Sequence, residues 1–418
     1  MAASAVLVQA VGPAASTTSR LTSRASAGSR GPGWLPSSTL LRDVPRLLEL
    51  GVVPGLALAV VDGGEVVTRG FGLAAAEGAG GAGVTTGASR GGPGSGQRVG
   101  DDTIFEAASL GKPVFAYGVL RLADRGVIRL DRPLYDYLPL PEAGDARMRR
   151  VTARHVLSQT TGLGNWRQEP GPLVPAEEPG KRFSYSGEAY FYLQRVLEKV
   201  TGVPFARLMR TEVLEPLGMT SSSWAWRPEF APRMAAGHDG TGERFDVYAD
   251  IGRAQEALAA KWGKPLEDWT CEDAARAVPE VAPQWPPLPV FMMPNAAASF
   301  LTTAADYARF LARVVAPPGS GKGLELQPAT LRAMQSPQVR LNSALSWGLG
   351  WGIEEDQHGR FLWHWGANMS FRNFALAAPE QGRAVAVFTN SLNGPKVYQR
   401  VVAAATGHDH PAFLWPFL

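Results

Sequence analysis

The chain reads as an α/β (α+β) protein on three observations. β-rich segments lie near both ends, a mainly helical stretch separates them, and 418 residues with 45% hydrophobic content suffice to bury a large core. That length fits one large domain or two modest ones. A formal charge of +3 is small for such a chain, and no Lys/Arg run or basic helix face with interleaved aromatics occurs, so nucleic acid is not an expected partner. No apolar run reaches 18 residues, so no membrane span is expected. The single cysteine, Cys271, excludes an intramolecular disulfide framework and leaves packing to stabilise the fold.

Residues 1–36 are rich in Ala, Ser, Thr, Arg and Gly and predict a disordered or processed segment. The apolar stretch Ala5 to Val11 is short and has no basic residue before it, which makes a poor secretory leader. A helix follows over Ser38 to Leu50, capped by Ser37 or Ser38, with Gly51 just past its end. Leu56 to Val61 and Glu65 to Gly70 predict a hairpin, because Asp62-Gly63-Gly64 supplies the positive φ a tight connection needs. Gly78 to Gly100 is a Gly/Ser-rich flexible loop; no Gly-Lys-Ser/Thr ending or strand-loop-helix context makes it a phosphate site. The next helix carries Phe115, Val119 and Leu122 at helical spacing, tolerates Pro113 in its first turn and ends near Arg125-Gly126. From Leu130 to Pro289 the chain is mainly helical, most clearly over Ala189 to Thr201 and Phe205 to Leu214. Arg253 to Trp262 and Glu272 to Val278 are short helices of an insertion that ends in the proline-rich Pro283 to Pro294. Strands return at Gly350 to Glu354, Arg360 to Trp365, Phe371 to Ala377 and Ala384 to Thr389, before a last helix at Val397 to Ala405.

The chemistry concentrates where the chain enters the helix after Ser109. Ser109-Leu110-Gly111-Lys112 is the one Ser-x-x-Lys in the sequence, and residues i and i+3 share a helix face, so the amine can reach the hydroxyl and take its proton. By itself the pair is weak, since a helix start followed by a solvated lysine looks the same. Order strengthens it: Tyr185-Ser186-Gly187 follows, and His364-Trp365-Gly366 lies on a predicted strand near the C-terminus.

Together these segments resemble the three motifs of the serine β-lactamase and penicillin-binding protein superfamily, in its class C branch with the related family VIII esterases and D-aminopeptidases. Arg154-His155-Val156-Leu157-Ser158-Gln159-Thr160-Thr161-Gly162-Leu163, Pro216-Leu217-Gly218-Met219, Ser299 to Asp306 and Trp347-Gly348-Leu349-Gly350-Trp351 are similar to further family strings in the same order. The resemblance runs from about Leu40 to about Thr406. It implies antiparallel strands from both chain ends closing one sheet flanked by helices, with residues 37–129 and 290–418 forming the α/β domain and 130–289 an inserted helical one. It also implies a serine hydrolase working through an acyl-enzyme at Ser109 on small-molecule ester, amide or peptide substrates, with no cofactor. Lys112 is then the base, which requires a pKa lowered by about three units from the free value, and burial can supply that. Tyr185 is the second acid–base group, the backbone N–H groups of Ser109 and Ala367 form the oxyanion hole, and Gly187, His364 and Gly366 contribute to substrate binding.

Two departures bear on the substrate. The family's second motif usually ends in asparagine, where this chain has Gly187, and its third motif opens on lysine in β-lactamases and carboxypeptidases, where this chain has His364. Both argue against an efficient β-lactamase and toward ester or unusual amide substrates; a true β-lactamase or D-Ala/D-amino-acid peptidase, and a catalytically weak binding or scaffold protein that keeps the fold, stay as alternatives. If His364 faces Ser109, its protonation between about pH 5 and 8 should alter the field at the site. His408-Asp409-His410 offers metal-ligating side chains, but an exposed terminal pair of histidines is the commoner explanation and no metal is expected. Trp224, Trp226, Trp285, Met292 and Met293 read as packing before they read as an acyl pocket.

Overall fold

The computed structural model describes residues 33–76, 96–245, 248–320 and 323–415. Residues 1–32 of the expected leading segment and 78–95 of the expected Gly-rich loop lie outside them. Trp34, counted by composition with the leader, is buried: its N–H donates to Asp62 Oδ2 at 2.7 Å and its ring stacks on Phe361.

The described residues form ten strands: β1 Gly55–Asp62, β2 Glu65–Gly72, β3 Ile104–Ala108, β4 Phe300–Thr303, β5 Val339–Arg340, β6 Leu345–Trp347, β7 Gly352–Asp356, β8 Gly359–Asn368, β9 Phe371–Ala378 and β10 Arg383–Thr389. Eight form one antiparallel sheet in the order β2-β1-β10-β9-β8-β7-β6-β5, so strands from both chain ends meet at the β1–β10 pair, as expected. The hairpin joining β1 and β2 turns through Gly63 and Gly64 at φ of 61° and 91°, the pair of left-handed residues that matches strand twist.

The two faces of β1 explain the layers. Alternate residues point to opposite sides. Leu56, Leu58 and Val60 pack with helix α1 (Ser38–Gly51) and with a C-terminal helix over Gly394–Thr406, through Leu40, Val44, Leu48, Val397 and Val401. Ala57 and Ala59 face the other way with Ala375, Ala377, Ala384 and Ala386, and these small side chains let a helix over Ala304–Val314 approach closely. Truncating Leu58 to Ala should cost about 2–5 kcal/mol, the usual range for a filled core site.

Between β3 and β4 the chain is helical: α2 Gly111–Asp124, α3 Ala153–Leu157, α4 Gly187–Thr201, α5 Phe205–Met209, α6 Tyr248–Trp262 and α7 Cys271–Val281. α2 is buried on nearly every side, which is why its sequence is apolar all round instead of amphipathic. The segment expected as one helix to Leu214 widens after Met209 into a π turn over Arg210–Leu214. β3 and β4 were not expected. Every residue of both is buried, so neither shows the polar–apolar alternation that marks a strand.

Gly51 is expected just past the end of α1. It lies inside the helix, and Val52 takes the left-handed conformation at φ 54°. Packing explains the glycine: a Cβ there would sit 2.6 Å from Val397 Cγ2.

Candidate active site

Ser109 is presented by a bent strand end. β3 carries a register shift between Glu106 and Ala108 against β4, and Ala108 has φ 52°, a costly conformation for a residue with a Cβ. This turn lifts Ser109 out of the β3–β4 pair and sets it two residues ahead of α2, where its N–H is outside the helical ladder. Gly366 of β8 fits against the same turn. A Cβ on it would lie 2.0 Å from the Ala107 carbonyl oxygen, so only glycine allows the strand to come this close.

Lys112 points back at Ser109. Its Nζ donates to Ser109 Oγ at 2.9 Å and to the Ala297 carbonyl at 2.7 Å, and it lies over the rings of Tyr185 and Tyr190, 4.7 and 5.5 Å from their centroids. Burial lowers its pKa well below the ordinary lysine value, because taking an ammonium out of water is costly. In its neutral form the amine carries a lone pair, and at this distance it can accept the serine proton. Ser109 Oγ also donates to the Ala297 carbonyl, at 3.3 Å. Ala297 is held in turn by the Asn295 side chain, which accepts from Ala297 N–H at 2.8 Å, while Gln194 Oε1 accepts from Ala296 N–H at 2.8 Å.

Tyr185 comes from the segment before α4. Its ring borders the cavity against Trp365, at 4.8 Å between centroids, and its hydroxyl is enclosed beside that of Ser109. Burial raises its pKa, and the nearby Ser109 hydroxyl offsets this in part. The segment is stitched to the loop after α3: Ser184 Oγ donates to the Leu163 carbonyl at 2.6 Å, Ser186 Oγ to the Gly164 carbonyl at 2.9 Å, and Gly187 N–H to Asn165 Oδ1 at 2.9 Å.

Gly187 has a specific neighbour. A Cβ on it would stand 2.1 Å from the Trp166 ring, so the indole occupies the space that a longer side chain would use. Trp166 and Asn165 both line a cavity of about 760 Å³ that also touches Ser109, Lys112, Tyr185, Trp365, Ala367 and Asn368. Asn368 Nδ2 donates to Glu106 Oε1 at 2.6 Å and to the Ala298 carbonyl at 2.9 Å, which ties β8 to the turn that carries Ser109. β8 pairs with β7 only as far as Trp363, so Trp365 and Ala367 border the cavity beyond that ladder.

His364 requires a correction. It is fully buried and does not line the cavity; its Nδ1 is 2.7 Å from the Trp365 carbonyl, and its ring packs against Trp347, Trp365 and Tyr185. Burial, with the Lys112 charge second, lowers its pKa to about 3. It therefore stays neutral between pH 5 and 8, and the expected switch in that window does not arise from it. His410 is likewise buried, not exposed, with Nδ1 2.7 Å from Glu354 Oε1 and Nε2 2.9 Å from Thr406 Oγ1. Trp224, Trp226 and Met293 pack into the main core, while Trp285 and Met292 belong to a small cluster beside α7.

Sequence reasoning missed Ala297, Asn165, Trp166 and Asn368. A backbone carbonyl leaves no trace in residue type, and Trp166 gains meaning only from the absent Cβ of Gly187.

Among curated proteins, Esterase EstB of Burkholderia gladioli is 33% identical over 157 residues, covering 30% of this chain and 39% of EstB. Penicillin-binding protein 4 of Amycolatopsis lactamdurans is 26% identical over 370 residues, 81% of each chain. The D-alanyl-D-alanine-carboxypeptidase/endopeptidase AmpH of Escherichia coli is 25% identical over 47% of this chain and 52% of its own length. Among solved structures, a class C β-lactamase superposes with a TM-score of 0.65 at 16% identity, over 88% of this chain and 96% of the other. The octameric penicillin-binding protein homologue from Pyrococcus abyssi gives 0.62 at 18%, over 89% and 77%. At such identities the superpositions speak for the fold alone. The family model described as Beta-lactamase matches residues 42–407, a span that contains the Ser109 turn, Tyr185 and all of β8, and the chain belongs to that family.

Proposed function

We propose that this protein is a serine hydrolase that cleaves esters in preference to β-lactams, through an acyl-enzyme on Ser109. The observation that carries the reading is the buried pair: a serine hydroxyl 2.9 Å from a lysine amine whose pKa is lowered by burial. Ser109 Oγ attacks the ester carbonyl as its proton passes to Lys112 Nζ. The oxyanion accepts hydrogen bonds from the N–H groups of Ser109 and Ala367, donors that need no reorganisation as charge develops. The C–O bond to the leaving group breaks and the alkoxide takes the proton held on Lys112, passed through Tyr185; water then adds to the acyl carbon as it gives a proton to the neutral Lys112 amine, and that proton returns to Ser109 Oγ as the acyl C–O bond breaks and the acid leaves.

The preference for esters rests on Gly187 and His364. Trp166 fills the space beside Gly187, leaving no room there for an amide-bearing side chain, and buried neutral His364 supplies no cation for a substrate carboxylate. The relatives EstB, an esterase, and AmpH, a D-alanyl-D-alanine-carboxypeptidase/endopeptidase, are compatible with ester or peptide substrates here. Comparing kcat/KM for short-chain activated esters and a chromogenic cephalosporin on one purified sample tests the reading. Higher values for the esters are expected, and faster cephalosporin turnover would restore the β-lactamase assignment.

A further inference from the structure

We propose that Asp356, His358 and His408 form a binding site for zinc or a similar divalent transition ion, in a groove separate from the Ser109 cavity. Each side chain offers one ligand atom, and the three atoms lie within 4.8 Å of one another. Around a tetrahedral ion with metal–ligand bonds of about 2.0–2.1 Å the donors stand roughly 3.3 Å apart, so small side-chain rotations close the set. Two imidazoles and one carboxylate suit zinc and its first-row neighbours, whereas calcium and magnesium take oxygen ligands. The groove, of about 1490 Å³, borders all three residues and, among the described residues, shares no lining residue with the Ser109 cavity. It gives water or a small anion access to a fourth position, and Lys396 and Arg400 in the same lining favour the anion.

The run His408-Asp409-His410 does not act as a unit here. His410 Nδ1 is engaged by Glu354 Oε1 at 2.7 Å, whereas the His408 ring stacks on His358 of the β7–β8 turn with centroids 4.0 Å apart. His408 Nε2 is buried without a hydrogen-bond partner, a costly state for a ring nitrogen that a bound ion would relieve. His358 Nε2 has an exposed contact of 3.3 Å with the Gln357 amide, which costs little to give up. The backbone carrying each imidazole is already held. His358 N–H donates to Asp356 Oδ1 at 2.7 Å, Gln381 Nε2 donates to the His358 carbonyl at 3.2 Å, and Thr406 Oγ1 donates to the His408 carbonyl at 3.2 Å. A carboxylate has further lone pairs, so the bond from His358 N–H does not prevent Asp356 from ligating. Binding then requires side-chain torsions alone to move, and the ion would join the β7–β8 turn to the segment after the helix over Gly394–Thr406.

The test titrates untagged, chelator-treated protein with ZnCl2, CaCl2 and MgCl2 by calorimetry and follows Tm at each zinc concentration. One zinc per chain is expected, with a Tm that climbs as zinc is added, because an ion that joins two elements favours the folded chain. Calcium and magnesium should change neither. His358→Gln, at an exposed position, should keep the native circular dichroism and the metal-free Tm while weakening zinc binding about 100-fold, the upper end of what losing an outer-shell partner costs. His408→Gln should weaken it as much. No zinc binding by the wild type, calcium binding as tight as zinc, or unchanged zinc affinity in both variants would overturn the inference. None of these readouts depends on turnover at Ser109, so the ester reading stands or falls separately.

Discussion

At Lys112 the fold keeps an amine among a serine hydroxyl, a backbone carbonyl and two tyrosine rings, and burial holds its pKa well below that of free lysine. In the unfolded chain the amine takes up a proton as pH falls below about 10.4, whereas the folded chain resists until a lower pH. In between, the unfolded state binds more protons, so stability falls as pH falls. Replacing Lys112 with Met removes this dependence. The mutant's stability relative to wild type should therefore rise as pH drops, by up to about 1.4 kcal/mol per pH unit, in chemical denaturation at a series of pH values. A constant difference would mean that Lys112 is not held neutral. The same group should set the acid limb of kcat/KM, since only the neutral amine accepts a proton. His364, with a pKa of about 3, should leave that limb where it is: His364→Gln should keep its midpoint, and a shifted midpoint would show that His364 titrates in the working range. Ser109, Lys112 and Tyr185 were legible in the sequence because the proposed chemistry needs those side chains in a fixed order. His364 was legible as a motif position but not as a buried one, because burial comes from Trp347 and Trp365 packing around it.

Among the elements, β8 and the turn that carries Ser109 meet through Gly366. Adding one methyl there drives a carbon into the Ala107 carbonyl, which is backbone and cannot rotate aside. Gly366→Ala should lower kcat about 10²-fold, the usual result of shifting a reacting group by roughly 1 Å, while circular dichroism stays native. Unchanged turnover would mean that β8 does not hold the turn in place. A second contact joins α4 to the loop after α3. Gly187→Asn alone should collide with Trp166 and lose ester turnover, and adding Trp166→Ala should clear the space and raise cephalosporin turnover above that of the single mutant. No gain in the double mutant would show that the asparagine is not what the site lacks. The long strands and helices were legible from their periodicity, and β8 and β10 begin within one residue of the expected starts. β3 and β4 were not, because buried strands of four or five residues carry no alternation and borrow their pairing from distant sequence.

Across the whole molecule, the helices between β3 and β4 pack mostly into a core shared with the sheet, apart from the small cluster beside α7. Phe115, Tyr190, Phe205 and Trp224 are continuous with Phe105, Tyr307 and Phe388 and with the alanine face of the sheet. The division into residues 37–129 with 290–418 and an inserted 130–289 is thus proposed as a description of topology. A single calorimetric transition is expected for the two parts, and two resolved transitions would mean that each folds alone. This shared core fixes Ser109, Lys112 and Tyr185 relative to one another, since β3, α2 and the start of α4 all contribute to it or border it. The most direct test of the account is covalent capture: incubation with a fluorophosphonate probe, then peptide mapping. Stoichiometric label on Ser109 alone, lost in Ser109→Ala and slowed about 10²-fold or more in Lys112→Ala, is the predicted result. Label on another serine, or labelling of Ser109 at the same rate without Lys112, would contradict it.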